Sequence, residues 1–192
     1  VVTSRTEVSD NSLKELQEAL REAKTIGKPY YIIGAGSNLL VADEGLRATV
    51  IALGGALCKW SVSGNTITAE AGLPLPVLAR KAARAGLSGL EFAAGIPGSV
   101  GGAVVMNAGA YQSQMSNVIS EVLCCDQDGN LITLDNEACE FGYRNSRFKK
   151  DKSFIILSVT FCLQPGDAEA IEKQMGHNTA ARIDKQPTSY PN

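Results

Sequence analysis

Two glycine-rich segments and one arginine-bearing stretch hold the residues best suited to chemistry in this chain. The first segment is Gly34-Ala35-Gly36-Ser37-Asn38-Leu39-Leu40, directly after the apolar run Tyr30 to Ile33. The second is Gly95-Ile96-Pro97-Gly98-Ser99-Val100-Gly101-Gly102-Ala103, followed by Met106-Asn107-Ala108-Gly109-Ala110. Glycine admits positive φ and lets a ligand approach the main chain with no Cβ in the way. Pro97 suits the first turn of a helix, where outward N–H groups carry partial positive charge and attract anions. Neither Ser88–Glu137 nor Tyr30–Leu46 contains a Lys or Arg. A diphosphate held here would rest on backbone amides with Ser37, Asn38 and Ser99, at about 1.5–3 kcal/mol for each hydrogen bond to a charged group.

Each segment also has a plainer reading. The first lacks the third glycine of a dinucleotide fingerprint, and Leu39 to Gly45 makes a poor helix; spacing alone leaves a turn and a phosphate loop both open. The glycines of the second could serve only close helix–sheet packing. The third stretch, Phe141-Gly142-Tyr143-Arg144-Asn145-Ser146-Arg147-Phe148-Lys149-Lys150, is either a solvated basic loop or an anion-facing site with Arg144 as a bidentate carboxylate clamp. The single histidine, His177, has no nearby nucleophile and supports neither a triad nor a metal site.

The elements that must position these groups emerge from periodicity. Ser9-Asp10-Asn11-Ser12 offers caps for a helix carrying Leu13, Leu16, Leu20 and Ala23, stopped by Gly27 and Pro29. Strands are expected at Tyr30–Ile33 and Thr49–Leu53, and a hairpin at 59–63 and 66–71 turning on Gly64-Asn65. Pro74 opens a second helix with Leu78, Ala82 and Ala85 on one face. Further strands are expected at 118–126, 131–134 and 154–163, and Asp167 caps a last helix running to about Ile183. The order predicts an α+β fold, not a regular βαβ alternation.

Composition narrows the class. Of 192 residues, 44% are hydrophobic and 20% charged, which suits a packed core, and the net charge of -2 argues against nucleic acid as the main partner. Five cysteines without a C-x-x-C pair favour a reducing, cytoplasmic setting over a disulfide framework or zinc site. No apolar run approaches the roughly 20 residues of a membrane span, and no signal peptide is visible.

Taken in order, the two glycine segments, Asn107-Ala108-Gly109-Ala110-Tyr111, Tyr143-Arg144-Asn145-Ser146 and Lys185-Gln186-Pro187 resemble the UDP-N-acetylenolpyruvoylglucosamine reductase family over nearly the whole chain. The resemblance implies an FAD-binding fold of the vanillyl-alcohol-oxidase/PCMH type, made of two α+β subdomains, here 1–72 and 73–183, with 184–192 leading toward a substrate-binding domain. It implies FAD contacts from Gly34, Ala35, Gly36, Ser37, Asn38 and Leu39, from Ile96, Pro97, Gly98, Ser99, Gly101 and Gly102, and from Asn107, Gly109 and Ala110. Ile32, Leu39, Ile96 and Val100 would wall an apolar slot for the flavin ring. It further implies NADPH as hydride-donating cosubstrate and a UDP-sugar enolpyruvyl ether as substrate. Arg144 would be catalytic and bind substrate, with Tyr143 beside it, in a cytoplasmic, monomeric enzyme of peptidoglycan precursor synthesis. No membrane partner is expected.

Departures from the family pattern make this chain read as a fragment that does not turn over alone. The N-terminal T-x-x-x-G-G segment with its first strand is missing, and the family's proton-donating serine and catalytic glutamate would fall beyond Asn192. Two other readings compete: an FAD-dependent oxidase of the same fold acting on a hydroxy acid or sugar, and a non-catalytic nucleotide-binding module.

Overall fold

The computed structural model describes residues 4–7, 12–27, 29–54 and 57–185. In chain order the elements are β1 (Ser4–Glu7), α1 (Ser12–Ile26), β2 (Tyr30–Ile33), β3 (Thr49–Ala52), β4 (Trp60–Ser63), β5 (Thr66–Glu70), α2 (Leu75–Arg84) and β6 (Leu87–Ser88). A 3-10 turn at Glu91–Ala93 leads to α3 (Val100–Val105), β7 (Gly109–Ala110) and β8 (Ser113–Gln114). A second 3-10 turn, Met115–Asn117, precedes β9 (Ile119–Cys125), β10 (Leu131–Asp135), α4 (Arg147–Lys150), β11 (Ile155–Cys162), β12 (Gln164–Pro165) and α5 (Ala168–Lys185).

Two sheets organise the chain. The smaller has the order β1-β3-β2, with both pairings parallel. The larger has the order β10-β9-β11-β5-β4 and is antiparallel throughout. The residues of β3 are all buried, as expected for a central strand covered on both faces. β5 alternates between buried and partly exposed positions, the pattern of a strand with one face on the core. Leu16 and Leu20 of α1, Ile51 of β3, Leu75 and Leu78 of α2, and Ile155 and Phe161 of β11 belong to one continuous core. Burying each such side chain contributes about 1.5–3 kcal/mol.

Most predicted elements are present, with instructive exceptions. The expected absence of a strand ahead of α1 does not hold: Ser4–Glu7 pairs with β3. Its polar sequence, Ser-Arg-Thr-Glu, carries no apolar alternation to announce it. The caps at Ser9, Asp10 and Asn11 lie outside the described residues. Leu78 and Ala82 are buried in α2, whereas Ala85 is its exposed C-cap. Asp167 does cap α5, its carboxylate accepting from the Ala170 N–H at 2.8 Å. The β4–β5 hairpin pairs with β11, so sheet membership divides the chain between Ala52 and Trp60 and groups residues 60–70 with the chain beyond 73.

Two contacts tie α1 to the turn joining β9 to β10. Gln17 Nε2 donates to the Gly129 carbonyl at 3.2 Å, and Lys24 Nζ meets Asp128 Oδ1 at 2.7 Å. The turn itself is wound about Asp126, whose Oδ1 accepts the N–H groups of Asp128 and Asn130 and whose Oδ2 accepts the Asn130 side-chain amide. The Asn130 side chain and these main-chain donors hold the Asp126 carboxyl below its usual range.

Candidate functional site

The first glycine loop leaves the end of β2 and is open to solvent from Ala35 to Asn38. Gly36 takes φ 73°, a conformation that favours glycine, and its carbonyl accepts from the Leu39 N–H at 3.2 Å. Among the described residues, the N–H groups of Ala35, Gly36, Ser37 and Asn38 have no protein acceptor. Four donors without a protein acceptor on one short exposed loop suit an anion.

The second loop is stitched to the corner between β5 and α2. Leu75 N–H donates to the Gly98 carbonyl at 2.9 Å, Val100 N–H to Leu73 at 2.9 Å and Gly101 N–H to Ala71 at 2.8 Å. Ser99 is buried and is the N-cap of α3, its Oγ accepting from Gly102 N–H at 3.3 Å. Gly101 packs so closely that a Cβ there would lie 2.9 Å from Ala71 Cβ. The first-turn amides of α3 are therefore spent on protein oxygens, unlike the outward donors expected of a helix start. Pro97 stands ahead of the cap instead of inside the first turn. Gly98, at φ 134°, has an N–H with no protein acceptor among the described residues.

The two loops meet. Ser37 Oγ donates to the Pro97 carbonyl at 3.1 Å. A Cβ on Gly34 would lie 2.1 Å from Ser99 Oγ, and one on Gly98 would lie 3.0 Å from Ser37 Oγ. The glycines at 34 and 98 let these backbones approach, so Ala35–Asn38 and Gly98 offer their free donors at one junction. Of the expected apolar wall, Leu39 is 57% exposed, while Ile32 and Ile96 are half-buried. Val100 is wholly buried in the core and cannot face a ligand.

A second site forms around Arg144. Gly142 and Asn145 close a turn by mutual main-chain hydrogen bonds of 3.0 and 3.2 Å. Tyr143 at its tip is 91% exposed. Arg144 follows at φ 51°, where glycine or asparagine is usual, so its backbone is strained in the way functional positions often are. Its carbonyl accepts from Lys149 Nζ at 3.1 Å, and its Nη2 donates to the Gly109 carbonyl at 3.2 Å. Arg144, Tyr143, Asn107, Gly109, Ala110 and Tyr111 line a recess of about 380 Å³. A neighbouring apolar recess of about 220 Å³, lined by Phe92, Gly95, Ile96 and Arg182, shares Ala110 and Tyr111 with it. The wall at 110–111 thus joins the second glycine loop to the arginine.

Asn107, which lines the first recess, turns its side chain to the protein. It is 2% exposed, at φ 40°, and both ends of its side-chain amide are engaged. Nδ2 donates to the Gly142 carbonyl at 2.9 Å, and Oδ1 accepts from Ser116 N–H at 3.0 Å. Sequence reasoning passed over three other residues. Ser146 is fully buried and donates to the Val105 carbonyl at 2.7 Å. The Tyr111 hydroxyl donates to the Asn178 carbonyl, which anchors the β7–β8 tip to α5. Asn178 in turn donates to Glu91 O at 3.1 Å. A polar Ser or Asn inside an otherwise patterned segment could have flagged Ser146 and Asn178, whereas Tyr111 carried no such signal. His177 is exposed, and the described residues hold no cluster able to bind a metal ion. No helix among them is long and apolar enough to cross a membrane.

Free main-chain donors at a glycine junction in an α+β fold, with an arginine across a shared wall, are the features an anionic nucleotide-binding domain requires. The profile of the FAD-binding domain family matches residues 8–135, and the chain belongs to that family. Among curated proteins, it is 42% identical over 184 residues to the UDP-N-acetylenolpyruvoylglucosamine reductase of Clostridium botulinum (strain Alaska E43 / Type E3), covering 96% of this chain and 60% of the relative. It is likewise 42% identical to the enzyme of that name from Clostridium novyi (strain NT), covering 59% of it. The chain thus spans about 60% of the length of the curated relatives it matches. The crystal structure of the Thermus caldophilus reductase superposes with a TM-score of 0.81 at 36% identity, covering 95% of this chain and 64% of that one. The FAD-binding fold of the vanillyl-alcohol-oxidase/PCMH type expected from the motifs is therefore the fold observed.

Proposed function

We propose that this chain is the FAD-binding portion of a reductase that converts a UDP-N-acetylglucosamine enolpyruvyl ether to UDP-N-acetylmuramate with NADPH, in cytoplasmic peptidoglycan precursor synthesis. The observation that carries the cofactor half is the junction of the loops at Ser37 and Pro97, with unspent donors at Ala35, Gly36, Ser37, Asn38 and Gly98. An uncharged set of donors suits a diphosphate, because several hydrogen bonds to charged oxygens together hold it without a salt bridge. Leu39 and Ile96 lie next along the two loops and offer apolar surface to the rest of the cofactor. FAD, when bound, supplies a hydride acceptor for NADPH and a hydride donor for the substrate double bond.

The remaining chemistry falls to side chains. Adding hydride to one carbon of an enolpyruvyl double bond leaves negative charge on the other, conjugated with the carboxylate as an enolate. Arg144 stands ready to hold that carboxylate in its guanidinium fork and to stabilise the enolate character as it grows. Its donation to Gly109 O orients the fork beforehand. Tyr143, beside it at the rim, offers a ring and a hydroxyl to the sugar nucleotide. A proton on the carbanion carbon completes the lactyl ether.

The test is to compare wild type with Arg144→Ala in the complete protein. Flavin absorbance should be retained by the variant, and flavin reduction by NADPH should proceed, while reoxidation by the enolpyruvyl substrate should fall by about 10²–10³-fold. A variant that loses its flavin yet reduces substrate normally when reloaded would overturn this assignment.

A further inference from the structure

We propose that Asn107 is a positioning residue that sets Arg144 through the turn carrying it, and is not itself a ligand of the cofactor. The proposal rests on the reading of Arg144 given above. Three segments converge on Asn107. Its Nδ2 holds the carbonyl of Gly142, the residue that opens the Tyr143–Arg144 turn, at 2.9 Å. Its Oδ1 holds the N–H of Ser116, within the 3-10 turn Met115–Asn117 that follows β8, at 3.0 Å. Its own N–H donates to Val104 O at 3.0 Å, closing the end of α3. With 2% exposure and both ends of the amide committed to main-chain partners, its side chain serves the turn and not a ligand.

The geometry of the turn explains why such a tether is required. Arg144 sits at φ 51° on a two-residue tip, a strained conformation that persists only when its surroundings hold it. Gly142 O is the acceptor on which Asn107 can act without touching Arg144. At the far end of the arginine side chain, Nη2 rests on the carbonyl of Gly109, two residues after Asn107. One residue thereby fixes both the base of the arginine's turn and the start of the segment that its guanidinium rests on.

Two variants test this in the complete protein: Asn107→Asp, which keeps the acceptor for Ser116 N–H and loses the donor to Gly142 O, and Asn107→Gly, which keeps the φ and loses both. Both should retain flavin and its reduction by NADPH within about twofold, while reoxidation by the enolpyruvyl substrate falls at least about tenfold. Amide exchange in residues 142–146 should quicken, with residues 34–39 unchanged. Combined with Arg144→Ala, neither should lower reoxidation further, since a residue acting only through the arginine has nothing left to act on. Loss of flavin with unchanged exchange at 142–146 would make Asn107 a cofactor ligand after all, and additive losses in the double variants would reduce its role to general stability. If Arg144→Ala alone leaves reoxidation intact, the reading of Arg144 fails, and exchange at 142–146 still decides whether Asn107 holds the turn.

Discussion

Ser37 and Pro97, sixty residues apart in sequence, are joined by a 3.1 Å hydrogen bond from the serine hydroxyl to the proline carbonyl. This bond brings a loop from the small parallel sheet against a loop anchored on the large antiparallel one. Removing it in Ser37→Ala leaves both loops individually folded. FAD affinity should fall about tenfold, in keeping with one lost hydrogen bond of about 1–1.5 kcal/mol, and fluorescence titration of apoprotein with FAD would measure it.

Gly34→Ala should be more damaging. Its Cβ would lie 2.1 Å from Ser99 Oγ, so Ser99 must turn away and uncap α3. The expected result is weaker flavin binding together with a loss of about 1 kcal/mol from the uncapped helix. Adding Ser99→Ala removes the clashing oxygen and should recover binding but not the cap. Thermal melts and FAD titrations of the three proteins separate these contributions, and wild-type behaviour of Gly34→Ala would show that the junction has room to spare.

Gly129→Ala addresses the contact between α1 and the larger sheet. The residue has φ 86°, and an added Cβ would come 2.6 Å from Gln17 Nε2. A destabilisation of about 1–3 kcal/mol is expected from strain and clash together. Adding Gln17→Ala should relieve the clash and leave the backbone strain. Urea denaturation curves of both variants give the two parts.

Three buried thiols predict a loss of stability in alkali. Burial, reinforced by neighbouring thiols, raises Cys124 to about 11; burial likewise takes Cys125 and Cys139 to about 11, with Asp126 and Asp135 adding repulsion. The unfolded chain releases these protons near 9, about two units earlier. The folded state is therefore fully favoured below about pH 9 and loses that advantage as pH climbs toward 11. Melting temperatures measured across this window should fall, and less steeply in Cys124→Ala. In the native protein at about pH 8, a thiol reagent should label exposed Cys162 well before these three.

How far the sequence disclosed this arrangement depended on whether a residue's role was local. The strand–glycine–serine loop at 30–38 announced itself because an apolar run ended in residues that only a tight turn needs. The hairpin at Gly64-Asn65 did so for the same reason. Strand β1 stayed hidden because its polar residues show no alternation. Helix α4 was masked by the basic run in which it lies. Val100 stands as a flavin-wall residue only through the resemblance and is wholly buried, while the Ser99 hydroxyl, read as a diphosphate donor, caps α3. The ties of Asn107 and Ser146 went unread since their partners, Gly142 and Val105, are 35 and 41 residues away. Polar residues buried by long-range pairing leave no local trace.

Helix α3 begins at the cap formed by Ser99 and ends just short of Asn107. Its six residues, rising about 1.5 Å each, make a rod of about 9 Å, and each residue advances the rotation by about 100°. Inserting or deleting one residue within it would swing the Asn107 side chain away from Gly142 by more than a quarter turn. The separation of the glycine junction from the Arg144 turn is therefore quantised by helical phase. Chain-length variation is tolerable in the exposed stretch from Leu40 to Glu44 but not between 99 and 107.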